Sequence, residues 1–226
     1  MDVAHFLKQR TSFIRQFYAT AATPYADRLA RIETAQEPWN FNESEESEPP
    51  FLEEWLEADE SLQVLGRSCI SMLAATLHAY FEYWVQAFEI PIDKDLEPLF
   101  KKSGWLKGYK AYFSRHAGID FATGPSNLAV LEELILARNQ IQHPASIIVE
   151  GSRYSESDLK KLRHPFFVDE REMSIFAETD ESVRGWLALP SIRVTSSKLV
   201  AAIAEVEKLC EWIEAVDVSP SRGTDA

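Results

Sequence analysis

Long apolar stripes at helical spacing dominate the pattern of hydrophobic and polar positions along this chain. Residues 3–19 carry one stripe, and residues 51–90 carry the longest, with its most apolar run at 69–88. Two more stripes occupy 127–143 and 196–215. Apolar residues that recur every three or four positions share one face of a helix. The last three stretches are therefore predicted to be helices that pack together as the core.

Capping and turn residues predict where these helices begin and end. Thr23 followed by Pro24 is typical of an N-cap and a first-turn proline, which predicts a separate short helix to about Ala35. Asn127 is predicted to cap the second core helix, and residues 195–197 the last. Earlier in the chain, Gly104 and Gly108 are expected to divide residues 95–117 into short helices.

Residues 146–194 have a different pattern, in which short β-rich runs alternate with turn residues. The runs are S-I-I-V-E-G, P-F-F-V-D, M-S-I-F-A and W-L-A-L-P-S-I-R-V. They predict a small β-hairpin or meander inserted into a helical protein. The predicted fold class is therefore mainly α, a helical bundle with a small β excursion.

A length of 226 residues fits one large domain. Its predicted parts are, in order, an N-terminal helical extension with an acidic loop (1–50), a bundle core (51–149), a β-rich excursion (150–194), a final core helix (195–216) and a disordered tail (217–226).

Charge and cysteine content limit the classes of function. The net charge of −13 repels nucleic acid on average, so a nucleic-acid site requires a local basic patch. Cys69 and Cys210 are the only cysteines and lie far apart, which excludes a Cys-rich zinc site and fits a reducing cytoplasm. The carboxylates are scattered, and no Gly-rich phosphate loop is present, so neither a metal nor a cofactor is predicted.

The apolar run at 69–88 is nearly long enough to span a bilayer. It contains His78, Glu82 and Gln86, which are costly in lipid. We therefore interpret it as a buried core helix, and no membrane association is expected.

The stretch A-R-N-Q-I-Q-H-P (137–144) carries the candidate chemistry. Arg138 and His143 are separated by about 140° around a helix and roughly 7.5 Å along it. Their side chains can still converge, because the residue before Pro144 tends to leave helical geometry. Asn139 lies four residues before His143, on the same face.

A fixed cation beside a histidine suits cleavage of a phosphodiester in RNA. The reaction needs a base for the 2′-hydroxyl proton, an acid for the leaving oxygen, and positive charge for the phosphate. One histidine does not readily serve as both acid and base, so two copies of the motif across a twofold axis would complete a site. The alternative interpretation is a helix C-terminal cap, with Arg138 and His143 near the negative end of the dipole.

The stretch L-E-E-L-I-L-A-R-N-Q-I-Q-H-P resembles the signature of the HEPN superfamily, in which Arg is followed by His after four to six residues. A-A-T-L-H-A-Y-F-E-Y-W-V is similar to the other core helix of that family. The resemblance covers about residues 60–149 and extends to the final helix, and it implies a helical bundle, a homodimer or pseudodimer, and often metal-independent endoribonuclease activity. Arg138 and His143 match the catalytic pair of the family, Asn139 matches a frequent companion, and Glu82 is similar to its acidic residue. Some toxin members carry a modified Tyr two residues after the His, where this chain has Ala145.

Residues 101–116 form the one local basic cluster in this acidic chain. Lysines and an arginine alternate there with aromatic residues: Lys101, Lys102, Lys107, Lys110 and Arg115 lie among Trp105, Tyr109, Tyr112 and Phe113. This composition can hold a phosphate backbone and stack on bases, although an ordinary helix with buried rings and solvated lysines would look the same.

His78 and Glu82, four apart, form a possible charge-assisted pair near the site, the alternative being a buried structural histidine.

The leading hypothesis is therefore a homodimeric, metal-independent endoribonuclease that acts on RNA as a toxin or defence component, with an antitoxin-like protein as a possible partner. In it, Arg138 stabilises the phosphate, His143 transfers protons, and Asn139 orients one of them. The alternative is a catalytically silent module that binds a nucleotide or a protein partner.

Overall fold

The fold is mainly helical, as the sequence predicts. A computed structural model describes residues 2–40, 49–143, 152–162, 164–179 and 189–216. The elements in chain order are α1 (Val3–Glu33), α2 (Leu52–Phe88), a π-helical turn (Leu99–Ser103), α3 (Trp105–Ala117), a 3₁₀ turn (Phe121–Thr123), α4 (Leu128–Gln142), α5 (Glu156–Leu159), α6 (Glu170–Glu178) and α7 (Ser196–Ala215).

Helix α2 lies at the centre of the bundle. It contacts α1, α4 and α7, and α7 also contacts α1 and α4. Its apolar stripe is buried, as Ile70, Leu73 and Leu77 show, and it meets equally buried residues such as Leu134 on α4 and Ile203 on α7. The prediction that these three stretches form the core is confirmed.

The predicted interruption of the first helix at Pro24 was wrong. Helix α1 continues through Pro24, which has no N–H to bond to the preceding turn. Tyr18 and Ala22 before the proline, and Ile32 after it, are all buried. Burial along the whole helix outweighs the local cost of the proline, and the Thr23 hydroxyl donates to the Ala19 carbonyl at 2.9 Å.

Of the two predicted glycine breaks, one is present. Gly104, at φ 92°, separates the π-helical turn from α3. Gly108 does not break the helix and lies inside α3, where the ring of Phe100 packs against it. A Cβ at Gly108 would approach that ring to 2.5 Å. Gly108 is thus a close-packing position, and it holds the π-helical turn against α3.

The described residues of the predicted β excursion contain one isolated antiparallel bridge, between Arg153 and Ser191, and the short helices α5 and α6. Residues 173–177, predicted as extended, are helical within α6. The side chain of Asp169 accepts from the N–H of Arg171 at 2.9 Å and caps that helix, and Met173 packs on the core. Residues 144–151 and 180–188 lie outside the described residues, as do most of the acidic loop (41–48) and the tail (217–226).

No helix in the described part of the chain combines the length and the apolarity that a bilayer crossing requires.

Candidate functional site

Helix α4 carries the motif at its C-terminal end. The helix begins where the Asn127 side chain accepts the N–H of Ala129 at 3.1 Å, and Leu131, Leu134 and Ala137 bury its core face. Beyond Ala137 the partly buried Ile141 is the one apolar residue of α4 that still packs on the core, and His143 is exposed. The motif therefore lies where the helix leaves the core.

Two contacts join the motif residues. The Arg138 Nη1 donates to the Asn139 Oδ1 at 3.0 Å, so the guanidinium and the amide are paired. The backbone N–H of His143 donates to the Asn139 carbonyl at 3.0 Å. The imidazole itself has no hydrogen-bond partner among the described residues. The structure thus pairs Asn139 with Arg138, and it does not place the Asn139 amide on the imidazole.

The helix-cap interpretation accounts for the backbone of His143. His143 occupies the C-cap with φ −129° and ψ 64°, and its N–H closes the last turn. The Arg138 side chain caps no carbonyl and donates instead to a side-chain oxygen. The position of both side chains near the negative end of the helix dipole still fits the cap interpretation, which therefore stays as the alternative.

A cleft of 1030 Å³ runs beside α4. Its walls are the start of α3 with the π-helical turn, one face of α4, and a third wall formed by Lys161, Leu162, His164 and Phe166. Asn139 of the motif lines it, together with Lys101 and Lys107 of the predicted basic cluster. Two further basic residues, Lys161 and His164, also line it. Sequence reasoning missed both, because neither belongs to a motif and both are distant in the chain from α4.

A buried carboxylate on α4 fastens the third wall of this cleft. The Glu133 Oε1 accepts from the Tyr154 hydroxyl at 2.8 Å and from the Phe167 N–H at 2.7 Å, and its Oε2 accepts from the Phe166 N–H at 2.7 Å. Burial raises the pKa of Glu133, while the three donors favour its charged form. The one sequence signal for this role is a carboxylate among the apolar residues of L-E-E-L-I-L.

A second contact from the same face of α4 holds the wall near the motif. Gln140, two turns after Glu133, donates to the Asp158 Oδ2 at 2.8 Å. Asp158 also accepts from the Lys161 ammonium at 3.3 Å. Lys161 is therefore held close to the turn of α4 that contains Asn139.

The predicted basic cluster does not form one surface. Arg115, at the end of α3, pairs with Asp93 and Asp95, both at 2.8 Å, and this lowers the pKa of both carboxyls. Lys101 pairs with Glu97 at 2.8 Å, and Lys110 with Glu132 at 3.6 Å.

The other members of the cluster differ in their surroundings. Lys107 is exposed and has no ion pair among the described residues. Lys102 lies in the π-helical turn, and its side chain lies outside the part of the chain that the structure describes. Tyr109, Tyr112 and Phe113 are buried, as the structural alternative predicted. The cluster therefore divides into a paired end at Arg115 and an open end at the cleft.

The possible pair on α2 is present. The His78 Nδ1 lies 3.6 Å from the Glu82 Oε2, and the histidine is half-buried. Its ring packs edge-on against Trp105, with ring centroids 4.9 Å apart, and also contacts Tyr109. Trp105 lines the cleft. This pair thus supports a wall of the cleft and does not itself line it.

The cysteines offer no nucleophile. Cys69 and Cys210 are free and buried, and burial raises the pKa of Cys69 to about 11. Both thiols are therefore protonated at neutral pH. Among the described residues, no group of three or more His, Cys, Asp or Glu side chains is placed to hold a metal ion.

The chain matches no protein-family model, no curated protein and no solved structure. A function must therefore be inferred from the geometry of the motif and the cleft, together with the resemblance of the motif.

Proposed function

We propose that this chain is a metal-independent endoribonuclease of HEPN type, with Arg138, Asn139 and His143 as its site. The observation that carries the proposal is the pairing of Arg138 with Asn139 beside an exposed His143, at the C-terminal end of α4. None of the three side chains serves the core. A cation, an amide and an imidazole together at an accessible helix end suit a phosphodiester.

The reaction is an attack of the ribose 2′-oxygen on the neighbouring phosphorus. The base removes the 2′-hydroxyl proton, the new O–P bond forms, and the bond to the 5′-oxygen breaks. The acid donates a proton to that 5′-oxygen, which leaves a 2′,3′-cyclic phosphate and a 5′-hydroxyl. Arg138 donates hydrogen bonds to the phosphate oxygens as their charge increases, and its contact with Asn139 restricts the guanidinium to one orientation.

A homodimer completes the acid–base pair. A single copy of His143 supplies one proton-transfer group, and two copies across a twofold axis supply both. The exposure of His143 leaves it accessible to a second protomer. We further propose a cytoplasmic toxin or defence role with an antitoxin-like partner, supported by the resemblance of the motif to that family.

The test of activity uses unmodified RNA in excess chelator. Wild-type protein should cleave it and leave 2′,3′-cyclic phosphate ends, which mass spectrometry detects. His143→Ala should abolish cleavage, and Arg138→Lys should lose most of it because a point charge replaces a fork of donors. His5→Ala, which removes an exposed histidine from α1, is the matched control and should cleave normally. Equal cleavage by wild type and His143→Ala would reject the proposal.

The test of the composite site mixes subunits. If each site needs both copies of His143, refolded mixtures of wild type and His143→Ala should show activity that follows the square of the wild-type fraction. A linear dependence would assign the whole reaction to one protomer.

A second candidate function, binding of a protein partner by a catalytically silent module, is favoured by one surface. Phe6, Phe13 and Phe17 expose 49%, 57% and 39% of their area along α1, and the last two rings stack at 6.0 Å. Exposed aromatic patches mark interaction sites. A protein that cleaves no RNA and associates through this surface with a second copy of the chain as its partner, with that association lost in Phe13→Ser, would support this candidate.

A further inference from the structure

Cations lie on opposite walls of the cleft beside α4. Lys107 projects from the first turns of α3, and Lys161 from the chain after α5. Lys107 is exposed without an ion pair among the described residues, and the Lys161 side chain is 63% exposed despite its contact with Asp158. His164, also exposed, lies on the same wall as Lys161. An anion in the cleft would therefore meet positive charge from two sides.

The carboxylates in the cleft are already engaged. Glu132 pairs with Lys110 at 3.6 Å, and Glu133 is buried behind three donors. Among the described residues, Lys107 is then the lysine of the lining without a carboxylate partner, since Lys101 pairs with Glu97 and Lys161 with Asp158. An open lysine opposite a largely exposed one can bind a polyanion that the net charge of −13 otherwise repels.

A fixed aromatic ring also lines the cleft. Trp105 is half-buried, and His78 and Tyr109 pack edge-on against it, with centroids 4.9 Å and 6.0 Å away. Phe166, also half-buried, lines the wall that Glu133 fastens. Unpaired bases stack on such rings, whereas the bases of a duplex expose only their edges.

The cleft reaches one residue of the motif, Asn139, while Arg138 and His143 lie outside its lining. The contacts of Gln140 and Lys161 with Asp158 bring the third wall to the same turn of α4. His143 follows four residues after Asn139, at the C-cap of the helix.

We infer that this cleft is the binding site for a single strand of RNA, which it directs to the end of α4. Lys107, Lys161 and His164 contact the phosphates, and Trp105 stacks on a base. The inference rests on the proposed endoribonuclease function for the identity of the ligand, but it assigns residues that the motif does not contain.

The experiment measures binding separately from cleavage. The probe is a short, fluorescein-labelled 2′-O-methyl oligoribonucleotide, which cannot be cleaved because its 2′-oxygen is blocked. Fluorescence anisotropy should show binding by the wild type that weakens with salt, and weaker binding of the same strand in a duplex. The Lys107→Glu, Lys161→Glu double variant should raise the Kd at least about tenfold, because two phosphate contacts become repulsive.

Two control variants reverse the charge of exposed lysines outside the cleft. Lys160→Glu changes an exposed neighbour of Lys161 that does not line the cleft, and Lys94→Glu changes an exposed lysine near the paired end of α3. Both should bind within about twofold of the wild type. Circular dichroism and thermal unfolding verify that every variant is folded. Trp105→Phe, which keeps a ring, should bind better than Trp105→Ala.

The outcomes separate this inference from the proposed function. Equal binding by the double variant and its controls, or tighter binding of the duplex, overturns the cleft assignment. RNA cleavage that still depends on His143 would then leave the endoribonuclease standing. Binding that follows the lysines, with cleavage indifferent to His143→Ala, would keep the cleft and reject the site.

Discussion

The two halves of α4 serve different purposes. In the first half, Leu131 and Leu134 are fully buried, and the polar atoms of Glu133 are satisfied by three donors. In the second half, Arg138 is bonded only to its neighbour Asn139 among the described residues, and His143 is exposed. One helix therefore provides both a rigid support and, beside Gln140 and Ile141 that still contact the rest of the bundle, the three polar side chains of the motif. Substitutions in the two halves should separate stability from activity.

The largest effects are expected from one substitution in each half. His143→Ala should lower the rate of RNA cleavage by about 10²- to 10⁴-fold, the usual contribution of a general acid or base. Its free energy of unfolding should stay within about 0.5 kcal/mol of the wild type. Leu134→Ala should lose about 2–5 kcal/mol of stability and retain cleavage while folded. Denaturant unfolding measures the stability of both variants, and a cleavage assay measures their rates. A destabilised His143→Ala would remove the distinction between the halves.

A smaller loss of stability is expected at Glu133. Glu133→Gln replaces one acceptor oxygen by an NH₂ group that faces a donor, which should cost about 1–3 kcal/mol. It should also weaken RNA binding, because the wall that carries His164 and Phe166 is loosened. Glu132→Gln, on the same turn, is the control, and its stability should change by less than about 0.5 kcal/mol. Equal unfolding midpoints for the two variants would contradict the fastening role of Glu133.

The same substitution at the two ends of α4 sharpens the contrast. Asn127→Ala removes the N-cap and should cost about 1 kcal/mol of stability. Asn139→Ala should leave stability nearly unchanged and reduce cleavage, because Arg138 loses the contact that orients it. Thermal unfolding and initial rates distinguish the two variants. Identical phenotypes would show that the division along α4 is wrong.

The smallest effect concerns Arg115, an arginine whose partners are carboxylates. The folded state lowers the pKa of Asp93 and Asp95 below the usual 3.8. The stability that these pairs contribute is therefore present above pH 3.8 and is lost as the pH falls through the lower folded values. The unfolding midpoints of wild type and Arg115→Ala should differ slightly at neutral pH and converge in acid. Arg138→Ala, which breaks no ion pair, should show no such convergence. A difference between wild type and Arg115→Ala that persists in strong acid would contradict this account.

Much of the fold could be predicted from the sequence, because helices depend on the spacing of residues that are close together in the chain. The apolar stripes of α2, α4 and α7 follow the helical period, and Asn127 and Thr195 cap their helices within three residues. Pro24 and Gly108 misled the prediction, since both usually end helices. At Pro24 the burial of the whole of α1 outweighed the local preference. At Gly108 the missing side chain admits the ring of Phe100.

By itself, the sequence determined the main helices and placed Arg138, Asn139 and His143 within one helix end, because neighbours in a helix are set by spacing alone. Only the tertiary structure decided which cations remain open. Arg115 pairs with two carboxylates some twenty residues away in the chain, while Lys107 forms no ion pair among the described residues. The tertiary structure also brought Lys161 and His164 to α4, through contacts between Glu133 and residues up to 34 positions away. Such contacts leave no periodic signal, because they depend on how separate elements pack and not on the order of residues within one element.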